Sequence, residues 1–140
     1  MNPAKALREL GDFEGRWRLY KSITQQGGGA EARFEGMAVW SAVAAGLAYH
    51  ETGQLHLAGA APIRAERRYL WCAPLRVCFE DGRFFHDVPA AGGSALHHCA
   101  PDLYRVRYNF DTWPDWTATW HVTGPRKDYR IEMRFTRAGG

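Results

Sequence analysis

The sequence predicts an all-β protein, a single antiparallel up-and-down β-barrel of about ten strands with a short N-terminal helix. Three observations predict it. Apolar and polar residues alternate with a period of two through most of the chain. The alternating runs are separated by tight-turn signals at Asp81-Gly82, Pro101-Asp102, Trp113-Pro114-Asp115 and Gly124-Pro125. No βαβ rhythm, linker, low-complexity tract or solenoid-length repeat interrupts them. A meander this long would expose unpaired edges if left open, and closure removes them. A barrel of this strand number can hold one small ligand where side chains do not fill it.

In chain order, Pro3 to Leu10 are helix formers that Gly11 can terminate, so residues 1–12 read as a helix and cap on one domain spanning 1–140. Trp17, Leu19 and Ile23 then alternate with Arg16, Arg18 and Ser22 as a half-buried strand, which Gly27-Gly28-Gly29 breaks. The second strand sets Phe34, Gly36, Ala38 and Trp40 against Arg33 and Glu35. The third sets Leu47, Tyr49, Glu51, Gly53 and Leu55 against His50, Thr52 and Gln54. The fourth sets Ile63, Ala65, Arg67, Tyr69 and Trp71 against Arg64, Glu66 and Arg68. Glu51 and Arg67 are charges in the interior phase. Burying either alone costs several kcal/mol, so they are expected to pair or to meet a polar ligand.

The stretch Val77 to Tyr104 carries most of the side chains capable of chemistry. A type I′ turn at Asp81-Gly82 pairs Phe79 with Phe84 and Val77 with His86. A second hairpin about Ala91-Gly92 sets His86 opposite His97, and a turn at Pro101-Asp102 sets Cys99 opposite Tyr104. Cross-strand partners share a face. Val77, Phe79, Phe84, His86, Val88, Ala95, His97, Cys99, Tyr104 and Val106 therefore face inward. Arg76, Cys78, Glu80, Arg83, Phe85, Asp87, His98 and Arg105 face out. Downstream, Tyr108, Phe110, Trp116, Ala118, Trp120 and Val122 continue the inner face. The turn at Gly124-Pro125 faces Val122 with Lys127, the one inward charge of a last strand that also turns Tyr129, Ile131, Met133 and Phe135 inward.

Composition narrows the partners. Net charge is +3 with Lys and Arg scattered among Asp and Glu, which leaves no electrostatic footprint for nucleic acid. No run approaches the roughly 20 apolar residues of a membrane helix, and the N-terminus has no apolar leader. Three cysteines at irregular spacing read as reduced thiols, and the expected location is cytoplasmic, as a monomer or homodimer. The aromatic share of 14% suits strands and small-molecule cavities alike.

The order of a short helix followed by Gly15-x-Trp17 at the start of the first strand resembles the calycins, the superfamily of lipocalins, fatty-acid-binding proteins and nitrobindins. That resemblance implies a barrel whose closed end packs the tryptophan under a basic side chain of the last strand, Arg130 or Arg134 here. Three further segments look like a family of short, mostly bacterial, calycin-like proteins of unknown function: Asp81-Gly82-Arg83 with Phe85-His86, His97-x-Cys99-x-x-Asp102-x-Tyr104, and Trp120-x-Val122-x-Gly124-Pro125-Arg126-Lys127-Asp128-Tyr129. A nitrobindin likeness would imply haem on a C-terminal histidine. His121 stands there, but its phase points outward, so no cofactor is expected.

His86, His97 and Cys99 could ligate zinc or copper, yet their spacing matches no zinc signature and no metal is expected. The number of inward polar groups exceeds what a filled core needs, and a ligand cavity accounts for them. The expected function is binding of a small, largely apolar molecule with a polar or anionic group. Glu51, Arg67, His86, His97, Cys99, Tyr104 and Lys127 supply the polar part of the wall, and Trp40, Tyr49, Tyr69, Tyr108 and Trp120 contact the apolar body. The alternative is a small barrel enzyme, an isomerase, cyclase or hydrolase, with His86 or His97 as base and Tyr104 or Lys127 as electrophilic partner. A third possibility is a protein-interaction module.

Overall fold

The computed structural model describes residues 7–27 and 31–139. Ten antiparallel strands form one sheet: β1 (Gly15–Gln25), β2 (Glu31–Val43), β3 (Gly46–Leu57), β4 (Ile63–Cys72), β5 (Arg76–Phe79), β6 (Phe84–Asp87), β7 (Gly93–Cys99), β8 (Asp102–Asn109), β9 (Trp116–Gly124) and β10 (Lys127–Arg137). The order is β6-β5-β4-β3-β2-β1-β10-β9-β8-β7. Sequential neighbours pair, β1 pairs with β10, and among the described residues the one joint without a strand ladder is β6/β7. The barrel is thus nearly closed, with its opening in the middle of the chain instead of at the termini.

The expected helix over Pro3–Leu10 lies largely outside the described residues. Among the described residues, what precedes β1 is a 3₁₀ turn, Leu10–Phe13, which contains Gly11 instead of ending at it. This turn inserts Phe13 into one end of the barrel, where Phe13 and Trp17 are both fully buried.

Three registers depart from expectation. At the Asp81-Gly82 turn, the Gly82 amide donates to the Phe79 carbonyl at 2.8 Å and the Phe79 amide to Arg83 at 2.8 Å. Gly82 has φ +90° while among the described residues no non-glycine has positive φ, so a turn over Glu80-Asp81 followed by a glycine bulge replaces type I′. Cys78 therefore pairs with Phe84, and a bulge against Val77/Cys78 lets consecutive Phe85 and His86 both point inward. Phe84 is 49% exposed and Phe85 2%, the reverse of simple alternation. Cys78 keeps its outward phase and is nonetheless buried, beside the Cys72 thiol.

The second departure is the missing β6/β7 hairpin. β6 is four residues long, Val88 donates its amide to Leu75, and the chain then turns from Pro89 to Gly92. Pro89 has no amide to extend a ladder, so β7 pairs with β8 alone. Third, two-residue turns at Ala100-Pro101 and Pro125-Arg126 put Cys99 opposite Asp102, His97 opposite Tyr104, and Lys127 opposite Gly124. Each is two residues from expectation, so the faces survive while Cys99 and Lys127 move to the rim.

Candidate functional site

The barrel interior has two chemically different halves. Toward the end plugged by Phe13 it is a stack of rings. Trp116 lies on Phe135 at 4.0 Å with planes 6° apart, Trp40 meets Trp116 tilted, Trp17 meets it edge-on, and Trp71 meets Trp40 edge-on. Outside that plug, Arg137 of β10 sits 4.0 Å over Trp17 and donates to the carbonyls of Glu14 and Asp12, each at 2.8 Å. The basic cover is therefore Arg137; Arg130 and Arg134 lie too early on β10, on its outward face. The Trp17 indole donates to the Phe13 carbonyl at 2.8 Å, which locks the plug to the first strand.

Between this plug and the opposite mouth lies a cavity of about 40 Å³. Strand phase delivers Lys21 from β1, Tyr49 and Glu51 from β3, Arg67 and Tyr69 from β4, His86 from β6, Tyr108 from β8 and Trp120 from β9 to its wall. Lys21 and Glu51 form a buried ion pair, and the Tyr49 hydroxyl donates to the other Glu51 oxygen. The pair spans β2 at Gly36, which puts no side chain between them. A Cβ on Gly36 would come 2.1 Å from the Thr52 carbonyl oxygen and 2.7 Å from Gly53, so this close approach of β2 and β3 requires glycine.

Burial lowers the Lys21 ammonium from its ordinary value, against the pull of Glu51. Burial, reinforced by the Glu51 carboxylate, holds the Tyr49 phenol well above its usual range. At Arg67 burial works against the charge, and Tyr69 and Glu51 more than offset it, keeping the guanidinium above its usual value. His86 is 1% exposed, and its Nε2 lies 2.8 Å from the Tyr108 hydroxyl. Burial, then repulsion from His97, takes its imidazole down to about 4, so it is neutral near pH 7. Burial also raises Tyr108, which keeps its phenolic proton.

Of the residues singled out in the sequence, Trp40, Tyr49, Glu51, Arg67, Tyr69, His86, Tyr108 and Trp120 share this cavity. Glu51 takes Lys21 as its ion-pair partner, not Arg67, which stays within electrostatic reach. His97 and Tyr104 do not line the cavity. They are half-buried in a cluster at the mouth, their rings 5.0 and 5.8 Å from Phe85. His97 does not face His86 across a ladder, because β6 and β7 share none. Cys99 is exposed, and Lys127 turns along the rim to Asp102 at 2.8 Å, which raises its ammonium. Lys127 is thus held in a rim pair and does not line the cavity beside His86. His121 lies on the outer face, bonded to Asp128 at 2.9 Å, and offers no axial ligand to the interior. Among the described residues no three His, Cys, Asp or Glu side chains converge as a metal site.

Two inward residues were missed, Lys21 on the cavity wall and Phe85 in the ring cluster at the mouth. Lys21 was legible, since it follows Trp17 and Leu19 in the inward phase of β1. Phe85 was not, because the bulge that turns it inward leaves no signature in alternation.

Comparison with known proteins places the chain. A family described as "Family of unknown function (DUF6314)" matches residues 13–137. The chain belongs to this family. No curated protein matches it. Among solved structures it is similar to an S-type phycobiliprotein lyase, CPES, from Guillardia theta, at 10% identity and a TM-score of 0.64, covering 94% of this chain and 91% of the other. At that identity the likeness concerns the fold. Among the described residues no helix is long and apolar enough to cross a membrane.

Proposed function

We propose that this DUF6314 protein is a calycin-like binding barrel whose interior holds a small, largely apolar molecule carrying one anionic group. The observation that carries the reading is the charge on the cavity wall. Lys21 and Arg67 give two positive charges, Glu51 gives one negative, and His86 is neutral, for a net of +1 on a wall otherwise made of aromatic and aliphatic side chains. Lys21 and Glu51 are buried and matched to each other, whereas Arg67 is exposed and has no carboxylate within ion-pair distance among the described residues, so its charge is the one open to an incoming group. An anionic ligand supplies the match at Arg67, and rings of Trp120, Tyr69 and Trp40 receive its apolar body. The plug of Phe13 and Trp17 under Arg137, and the shared fold of the lyase, support the calycin relation.

The cavity's 40 Å³ accommodates only a few waters, so a larger occupant must displace side chains. The mouth is where that costs least. Phe79, His97, Tyr104 and Trp120 are half-buried there, β5 and β6 are four residues each, and the β6/β7 joint has no ladder to break.

Tryptophan fluorescence titration with naphthalene-2-carboxylate and with 2-naphthylmethylammonium tests this reading. The carboxylate should bind at least about tenfold more tightly, the scale of one favourable charge contact, and Arg67→Ala should erase the difference. Equal binding of both ions, or binding of neither, would remove the charge argument.

A further inference from the structure

Among the described residues three buried side-chain nitrogens have no hydrogen-bond partner: Trp40 Nε1, Trp116 Nε1 and His86 Nδ1. Their residues are each 1% exposed, and all three line the same cavity, Trp40 and Trp116 at its plugged end and His86 linked to Trp116 through the Tyr108 ring, 5.8 Å from the imidazole and 6.1 Å from the indole. Buried N–H groups are almost always satisfied, so three exceptions on one cavity wall point to a shared acceptor. The other tryptophan of the plug behaves ordinarily, its indole donating to Phe13. Resting on the binding reading above, we propose that the inner end of this cavity is a carbonyl subsite, in which the indole N–H groups of Trp40 and Trp116 and the imidazole of His86 receive an uncharged acceptor oxygen of a flat, apolar ligand.

The chemistry selects an uncharged acceptor over an anion. Indole is a donor only, and neither indole nor neutral imidazole supplies a formal charge. The nearest ammonium, Lys21, is already matched by Glu51. A carboxylate carried this far in would lose its hydration without gaining a countercharge. A ketone, lactam or quinone oxygen loses far less and gains up to three donors. His86 can be the third because the protonated Tyr108 hydroxyl can donate to Nε2, which leaves the proton on Nδ1. The ligand then lies along the barrel axis, its oxygen at the ring stack and its anionic group, where it has one, at Arg67.

The test uses the indole ¹H–¹⁵N NMR resonances of the full chain, with 1-indanone as probe and indane as its isostere without the oxygen. Indanone should shift the Trp40 and Trp116 indole protons downfield, leave that of Trp17 in place, and bind at least tenfold more tightly than indane. Trp116→Phe should reduce indanone affinity severalfold and leave indane unaffected. Equal binding of both compounds without indole shifts would overturn the carbonyl subsite while leaving an apolar binding cavity standing. Failure of both compounds to perturb any wall residue, where the naphthalene carboxylate does bind, would also overturn it. Failure of all three would overturn the binding reading as well.

Discussion

The plugged end and the mouth of this barrel are built from the same kinds of residue and behave as opposites. At the plug, Phe13, Trp17, Trp40 and Trp116 are all 1% exposed or less, and Arg137 closes the outside with two hydrogen bonds and a ring contact. At the mouth, Tyr69, Phe79, Tyr104 and Trp120 are half-buried, on β4, β5, β8 and β9, within two strands of the unlatched β6/β7 joint on either side. Aromatic content alone therefore does not make a core. Rings become structural where long strands and a cap surround them on every side, and remain displaceable where the surrounding strands are short and one joint is open.

The sharpest way to break this contrast is to truncate one ring at each end. Trp17→Ala removes a fully buried indole, its bond to Phe13 and the platform for Arg137, so urea denaturation should show a loss near the top of the roughly 3–5 kcal/mol typical of such changes. Tyr104→Ala at the mouth should cost roughly 1–2 kcal/mol, in the ordinary range for a half-buried site. Equal losses would mean that the mouth is as tightly packed as the plug.

How much of this was legible follows the same division. Period-two alternation identified the long strands, and with them the placement of Tyr49, Glu51, Arg67, Tyr69 and Trp120, because one slipped residue would move a whole buried face into water. Around the mouth the argument rested on turns, and there it erred. A glycine bulge reads the same as a type I′ Asp-Gly turn until the backbone φ values are known, and that difference exchanged Phe84 for Phe85. The β6/β7 hairpin failed because Pro89 and a four-residue β6 leave too little ladder to hold a pair. His97, Cys99 and Lys127 were drawn to the interior by counting across those turns. Lys21 was overlooked for a simpler reason: a lysine among Arg16, Arg18 and Ser22 looks like solvent face until its phase with Trp17 is counted.

Two ion pairs sharpen the comparison further. Lys21–Glu51 is buried beneath the mouth, whereas Lys127–Asp102 lies on its rim with the lysine side chain 45% exposed. Glu51→Ala should cost roughly 3–5 kcal/mol, because it strands the Lys21 ammonium and frees the Tyr49 hydroxyl, and Lys21→Met combined with Glu51→Leu should recover most of that loss. Asp102→Ala should cost less than about 1 kcal/mol. A double variant no better than the single one would show that the pair contributes net stability.

His86 lies between the two ends and reports on which of them it belongs to. Its folded-state value of about 4 sits below the ordinary 6.5 because burial, and then His97, oppose its charge. In the unfolded chain it gains a proton as pH falls through 6.5, while in the folded chain it stays neutral until about 4. The unfolded state then binds more protons across that window, so stability falls as pH drops from about 6.5 to about 4. The limit is roughly 3 kcal/mol from a shift of this size, at 1.36 kcal/mol per pH unit. Urea denaturation at pH 7 and pH 4 should show a larger acid loss for the wild type than for His86→Gln, by up to that amount. Parallel curves would mean that water reaches His86 from the mouth, which would make it part of the displaceable half and leave the two indoles alone at the inner end of the cavity.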